Sequence, residues 1–125
     1  MKIRIKGNSV RLRLTKPEVD IFAGKKIIFD ETNFGGGQRL KYALSEIKDG
    51  LELTAGFENN CITVYMPAHL QNIWTTTETV GFEANMPMDN GDKLFILVEK
   101  DWKCIDGSNE DQSDMYENPN EELLK

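Results

Sequence analysis

Met1-Lys2-Ile3-Arg4-Ile5-Lys6-Gly7-Asn8-Ser9-Val10-Arg11-Leu12-Arg13-Leu14 alternates charged and apolar residues on both sides of a Gly-Asn pair. Successive side chains of an extended strand point to opposite faces, so Ile3, Ile5, Val10, Leu12 and Leu14 share one face. Lys2, Arg4, Lys6, Arg11 and Arg13 share the other. Two such runs across Gly7-Asn8 read as a β-hairpin with one buried face.

Next along the chain, Thr15-Lys16-Pro17-Glu18 has the form of a helix capping box, with Val19, Ile21 and Phe22 as the apolar side and Gly24 as the expected stop. Lys26 to Thr32 reads as a strand, Gly35-Gly36-Gly37 as a break, and Leu40, Tyr42 and Leu44 resume the alternation. The order then recurs. Leu51 to Phe57 and Ile62 to Met66 read as strands around a Glu58-Asn59-Asn60 turn, and Pro67 opens a helix with Leu70, Ile73 and Trp74 on one side. Val80 to Met86 is extended, Asn90-Gly91 is a two-residue hairpin signal, and Leu94-Phe95-Ile96-Leu97-Val98 predicts a strand buried on both faces, with Phe95 and Leu97 in the core.

Laid on each other at a constant offset of 52 residues, the halves pair Leu12 with Val64, Leu14 with Met66, Phe22 with Trp74, Ile28 with Val80, Tyr42 with Leu94 and Leu44 with Ile96. The expected fold is therefore mainly β (α+β), with about eight antiparallel strands and two short helices. It forms a pseudo-twofold barrel or sandwich from two strand-strand-helix-strand-strand repeats, residues 2–47 and 54–99, an internal duplication. A single domain over 1–104 and an acidic, loosely ordered tail over 105–125 complete the expected organisation.

Charge is split along the chain. The net charge is −6, but residues 1–50 hold eleven Lys and Arg against six Asp and Glu, and residues 51–125 hold four against fifteen. Five like charges on one hairpin face repel and call for an anion. Self-compensation ranks first, by the protein's own acids or by association of copies. Nucleic acid ranks second, and another protein or a small anion third. Lys2, Arg4, Lys6, Arg11 and Arg13 are accordingly the anion- or partner-binding candidates.

Catalytic signals are sparse. Cys61 and Cys104 are far apart and read as thiols of a reducing compartment. His69, the single histidine, has no triad context, and a nucleophilic pair with either cysteine is the minor reading. Cys104, Asp106, Asp111 and Asp114 are weak thiol or tail candidates whose spacing fits neither a zinc nor a calcium site, so solvated carboxylates are expected, with no metal and no cofactor. The glycine run lacks the lysine of a phosphate loop. With no apolar run near the ~20 residues of a membrane span and no continuous apolar stretch in the first residues, the expected address is cytoplasmic, away from membranes.

The opening fourteen residues, together with Val98-Glu99-Lys100-Asp101-Trp102-Lys103-Cys104 and Glu110-Asp111-Gln112-Ser113-Asp114, resemble a group of small uncharacterised bacterial proteins over the whole chain. That resemblance implies no activity. More distantly, each half resembles the swapped-hairpin unit of AbrB/MazE-type transcription factors. The second half is the better match, with Ile62-Thr63-Val64-Tyr65-Met66-Pro67-Ala68-His69-Leu70 followed by Asp89-Asn90-Gly91-Asp92. The functional expectation is a non-catalytic binding or protein-interaction module. A nucleic-acid-binding regulator acting through the cationic hairpin is the alternative, and a thiol- or metal-dependent enzyme ranks last.

Overall fold

The hairpin at the N-terminus forms as its alternation requires: in a computed structural model describing residues 1–101, β1 (Lys2–Ile5) pairs antiparallel with β2 (Ser9–Leu14) across Gly7-Asn8. The second strand alternates half-buried Arg11 and Arg13 with buried Val10, Leu12 and Leu14. Helix α1 (Lys16–Lys25) starts at Thr15, where Glu18 Oε1 accepts from the Thr15 backbone N–H at 2.9 Å and from its hydroxyl at 3.0 Å. The helix passes through Gly24, and Lys26 takes the left-handed capping conformation at φ 66°. Lys26 is held there by the rest of the fold, since its N–H donates to Phe22 O at 2.8 Å and its carbonyl accepts from Glu46 N at 2.9 Å.

Strands β3 (Ile27–Gly35) and β4 (Gln38–Ile47) form the next hairpin. Its two-residue turn, Gly36-Gly37, has φ of 59° and 79°, a conformation for which glycine carries no steric cost. β5 (Thr54–Glu58) starts later than expected, leaving Leu51 85% exposed, and turns through Asn59-Asn60 into β6 (Cys61–Pro67). Helix α2 (Ala68–Thr76) follows Pro67, and it buries Gln71 and Trp74 while Ile73 stays exposed, correcting the expected apolar side. β7 (Gly81–Pro87) and β8 (Lys93–Lys100) close the described chain. Their connection is longer than a two-residue Asn-Gly turn: Gly91 N–H donates to Met88 O at 3.1 Å, placing Asp89 and Asn90 at the centre, and Met88 N–H donates to Asp92 O at 2.9 Å.

Eight strands form two four-stranded sheets, β1-β2-β8-β7 and β3-β4-β6-β5, with no closed barrel among the described residues. The outer pairs are antiparallel, as expected, but the central pairs β2·β8 and β4·β6 are parallel. Each sheet thus joins a hairpin of one half to a hairpin of the other. Leu12, Leu14, Leu44, Val64, Met66, Ile96 and Val98 fill the space between the sheets, and Phe22 and Trp74 cap it from the helices. On β8 only Ile96 and Val98 are buried. Phe95 and Leu97 are half-buried on the opposite face, which overturns their expected place in the core.

The halves share one topology, but not at one offset. Lys2↔Arg13 recurs as Thr54↔Tyr65, each residue 52 later, and Phe22 recurs as Trp74. Ile27↔Ser45 recurs as Gly81↔Glu99, each residue 54 later. The backbone bond from Glu46 N to Lys26 O has its twin, also 54 on, from Lys100 N to Val80 O at 2.9 Å. Two extra residues therefore sit between α2 and β7, so Leu44 corresponds to Val98 and Tyr42 to Ile96, while Ile28 corresponds to Phe82. In that longer loop the Trp74 indole N–H donates to Val80 O at 2.9 Å, a bond that Phe22 cannot make.

Candidate anion-binding face

Pairing within β1 and β2 decides where the five cations meet. Lys2 lies opposite Arg13 and Arg4 opposite Arg11, so two cross-strand pairs carry like charges, an arrangement that opposes strand pairing unless something answers it. The parallel neighbour β8 answers part of it. Register sets Arg13 beside Glu99 and Arg11 beside Leu97. Glu99 Oε1 accepts from Arg11 Nε at 2.8 Å and from Arg13 Nε at 2.9 Å, with Arg11 Nη2 also in contact and Arg13 Nη2 at 2.8 Å. Burial pushes the Glu99 carboxyl up, but the hydrogen bonds and charges of Arg11 and Arg13 outweigh it and hold it below its ordinary value. Lys2 Nζ meets Asp101 at 3.2 Å. Among the described residues no carboxylate pairs with Arg4 or Lys6.

Two shallow concavities lie on this face. One, of about 380 Å³, is lined by Lys2, Ile3, Arg4, Arg11 and Arg13. The other, of about 190 Å³, sets Arg4, Lys6, Ser9 and Arg11 beside half-buried Phe95 and Leu97. An acidic chain that also carried apolar side chains would find both chemistries within it. Sequence reasoning assembled the five cations but missed Glu99, Asp101, Phe95 and Leu97. The unbroken apolar run of β8 does not say which side chains face outward, so their place beside the cations becomes legible only with the parallel register to β2.

The other sheet provides an internal control. At the positions corresponding to Lys2, Arg4, Arg11 and Arg13, 52 residues later, it carries Thr54, Gly56, Thr63 and Tyr65. The same ladder therefore forms with no cation on it.

The remaining candidates are not brought together. Cys61 begins β6 and His69 follows its end, so a strand of roughly 20 Å separates them. Cys61 is half-buried with its Sγ 3.5 Å from Thr63 Oγ1, and His69 is exposed. Cys104, Asp106, Asp111 and Asp114 lie outside the described residues, as does the Cys104 half of the other thiol-histidine pair. Among the described residues no group of three His, Cys, Asp or Glu side chains is placed to hold a metal. No described helix is long and apolar enough to cross a membrane.

DUF7009, a family of unknown function, matches residues 1–120 of the chain. No curated protein and no solved structure matches it.

Proposed function

The chain belongs to the DUF7009 family, whose function is unknown, and we propose that it is a non-catalytic binding module that takes an acidic protein segment on the outer face of β1 and β2. The observation that carries this reading is the like-charged pair Arg4↔Arg11 on a fold whose other sheet manages without it. Charge repulsion is retained on one sheet only, and its use there is to meet carboxylates. Glu99 already displays the chemistry: one carboxylate oxygen receives two guanidinium groups, a charge-assisted geometry that a partner's acids would repeat at Arg4 and Lys6. The apolar floor at Phe95 and Leu97 favours a protein segment with interspersed apolar residues over a bare phosphate chain.

A nucleic-acid-binding regulator is the second reading, favoured by the row of cations. Against it, a bare phosphate chain would leave the half-buried Phe95 and Leu97 beside those cations uncovered. The exchange of hairpins between halves supports the likeness of each half to the AbrB/MazE-type swapped-hairpin unit, which we hold as a proposal about architecture alone. A cytoplasmic address fits the free thiol at Cys61 and completes the reading.

Polyglutamate and duplex DNA, titrated separately against the full chain at rising salt, test the proposal. Salt-sensitive polyglutamate binding that Arg4→Glu/Lys6→Glu removes is expected. Equal binding by that variant would overturn the assignment of the face, and tighter, steeply salt-dependent DNA binding would move the function to nucleic acid.

A further inference from the structure

We infer that in the full-length chain this face is covered by the protein's own acidic segment around residues 110–117, so that an external acidic partner must displace it. The inference rests on the acidic-partner reading above and names the face's first occupant. Four observations converge on it.

The described chain ends beside the face. Asp101 N–H donates to Leu14 O at 2.7 Å and its carboxylate pairs with Lys2, which fixes the last described residue at the end of β2. Reach is ample, because the nine residues from Asp101 to Glu110 can span up to ~30 Å, whereas Arg13 to Ser9 along β2 is only about 13 Å.

Chemistry matches on both counts. The stretch Glu110-Asp111-Gln112-Ser113-Asp114-Met115-Tyr116-Glu117 sets four acids around Met115 and Tyr116. The smaller concavity sets Arg4, Lys6 and Arg11 around Phe95 and Leu97. Carboxylates would meet Arg4 and Lys6, which pair with no acid among the described residues, and the two apolar side chains have half-buried apolar surface to cover. The DUF7009 match runs to residue 120 and so takes in this stretch together with the two sheets.

The test compares two full-length chains, the wild type and Glu110→Gln/Asp111→Asn/Asp114→Asn/Glu117→Gln. The Nε–H NMR signals of Arg4 and Arg11 should differ between them at low salt and converge at about 0.5 M salt, where charges are screened within a few ångströms. Polyglutamate should bind the neutralised chain about tenfold more tightly, as a face covered about nine-tenths of the time requires. Unchanged arginine signals with equal, measurable polyglutamate affinity in both chains would overturn this inference and leave the acidic-partner reading standing. Changed arginine signals with no polyglutamate binding by either chain would do the reverse. A signal difference that disappears on dilution would assign the segment to a second copy and overturn coverage within one chain.

Discussion

Phe22 of α1 and Trp74 of α2 meet edge to face, their ring centroids 6.1 Å apart and their planes at 64°, with both side chains fully buried. They occupy corresponding positions of the two halves, so the contact lies where the halves' helices join. Removing either ring opens a cavity under both helices. Trp74→Ala is expected to cost about 3–5 kcal/mol, and Trp74→Phe about 1–2 kcal/mol through a smaller void and the loss of one of the two hydrogen bonds that the Val80 carbonyl accepts, the bond from Lys100 remaining. Urea unfolding of both single variants and the double variant should show a Phe22–Trp74 coupling of about 0.5–1.5 kcal/mol.

On β8 the two faces should respond unequally. Ile96→Ala removes a fully buried side chain between the sheets and is expected to cost about 2–5 kcal/mol. Leu97→Ala, on the half-buried outer face, should cost about 1 kcal/mol or less and should weaken polyglutamate binding if the apolar floor contributes to it. Equal destabilisation by the two would contradict the observed burial.

These two residues also show how far the sequence could be read. An unbroken run such as Leu94 to Val98 carries no alternation, so nothing local says which face is inward. The offset of 52 survived in the second hairpins because the true offset of 54 differs by an even number, and an even slip in a strand keeps every side chain on its face. Leu44 thus found an apolar match in Ile96 although its structural partner is Val98. The hairpins themselves were legible from alternation and turn residues. Parallel pairing of β2 with β8 was not, because it joins Ser9 to Phe95 and no local signal spans that separation. For the same reason the cations could be found, but Glu99 could not be placed beside them.

Gly24 and Lys26 divide the role that the sequence assigned to Gly24 alone. Gly24 sits within α1, and a methyl group there would meet nothing within 4 Å, so Gly24→Ala should raise stability by about 0.5–1 kcal/mol. Lys26 holds the left-handed cap, where a side chain is strained, so Lys26→Gly should also stabilise, by up to about 1 kcal/mol. Thermal melts of the two variants check the pair. A loss of stability from Gly24→Ala would restore that residue as the helix stop.

Gly81 is expected to behave in the opposite way. A Cβ there would lie 2.0 Å from the Val98 carbonyl oxygen and 2.8 Å from the Glu99 Cα, both backbone atoms that cannot swing aside. Gly81→Ala must therefore push β7 from β8 and should cost about 1–3 kcal/mol by denaturant unfolding. Since Glu99 is the partner of Gly81 in the ladder, the same shift should loosen Arg11 and Arg13 and show in their side-chain NMR signals.

Glu99 links the stability of the fold to the charge of its outer face. Its carboxyl is lowered in the folded chain, burial acting against the stronger pull of Arg11 and Arg13, so its contribution is present in full above the ordinary value that the unfolded chain keeps. It is lost as the pH falls from there through the folded value. Glu99→Gln should therefore cost about 1–2 kcal/mol at neutral pH and flatten the acid limb of the stability profile, because the two half-buried arginines lose their charged acceptor at every pH. The same substitution frees both guanidinium groups, so polyglutamate should bind more tightly to Glu99→Gln than to the wild type at equal salt. Urea unfolding from pH 3 to 7 and a polyglutamate titration check the two effects separately. An acid limb identical to that of the wild type would show that Glu99 does not carry the linkage, whereas unchanged affinity would show that Arg11 and Arg13 serve the fold and leave binding to Arg4 and Lys6.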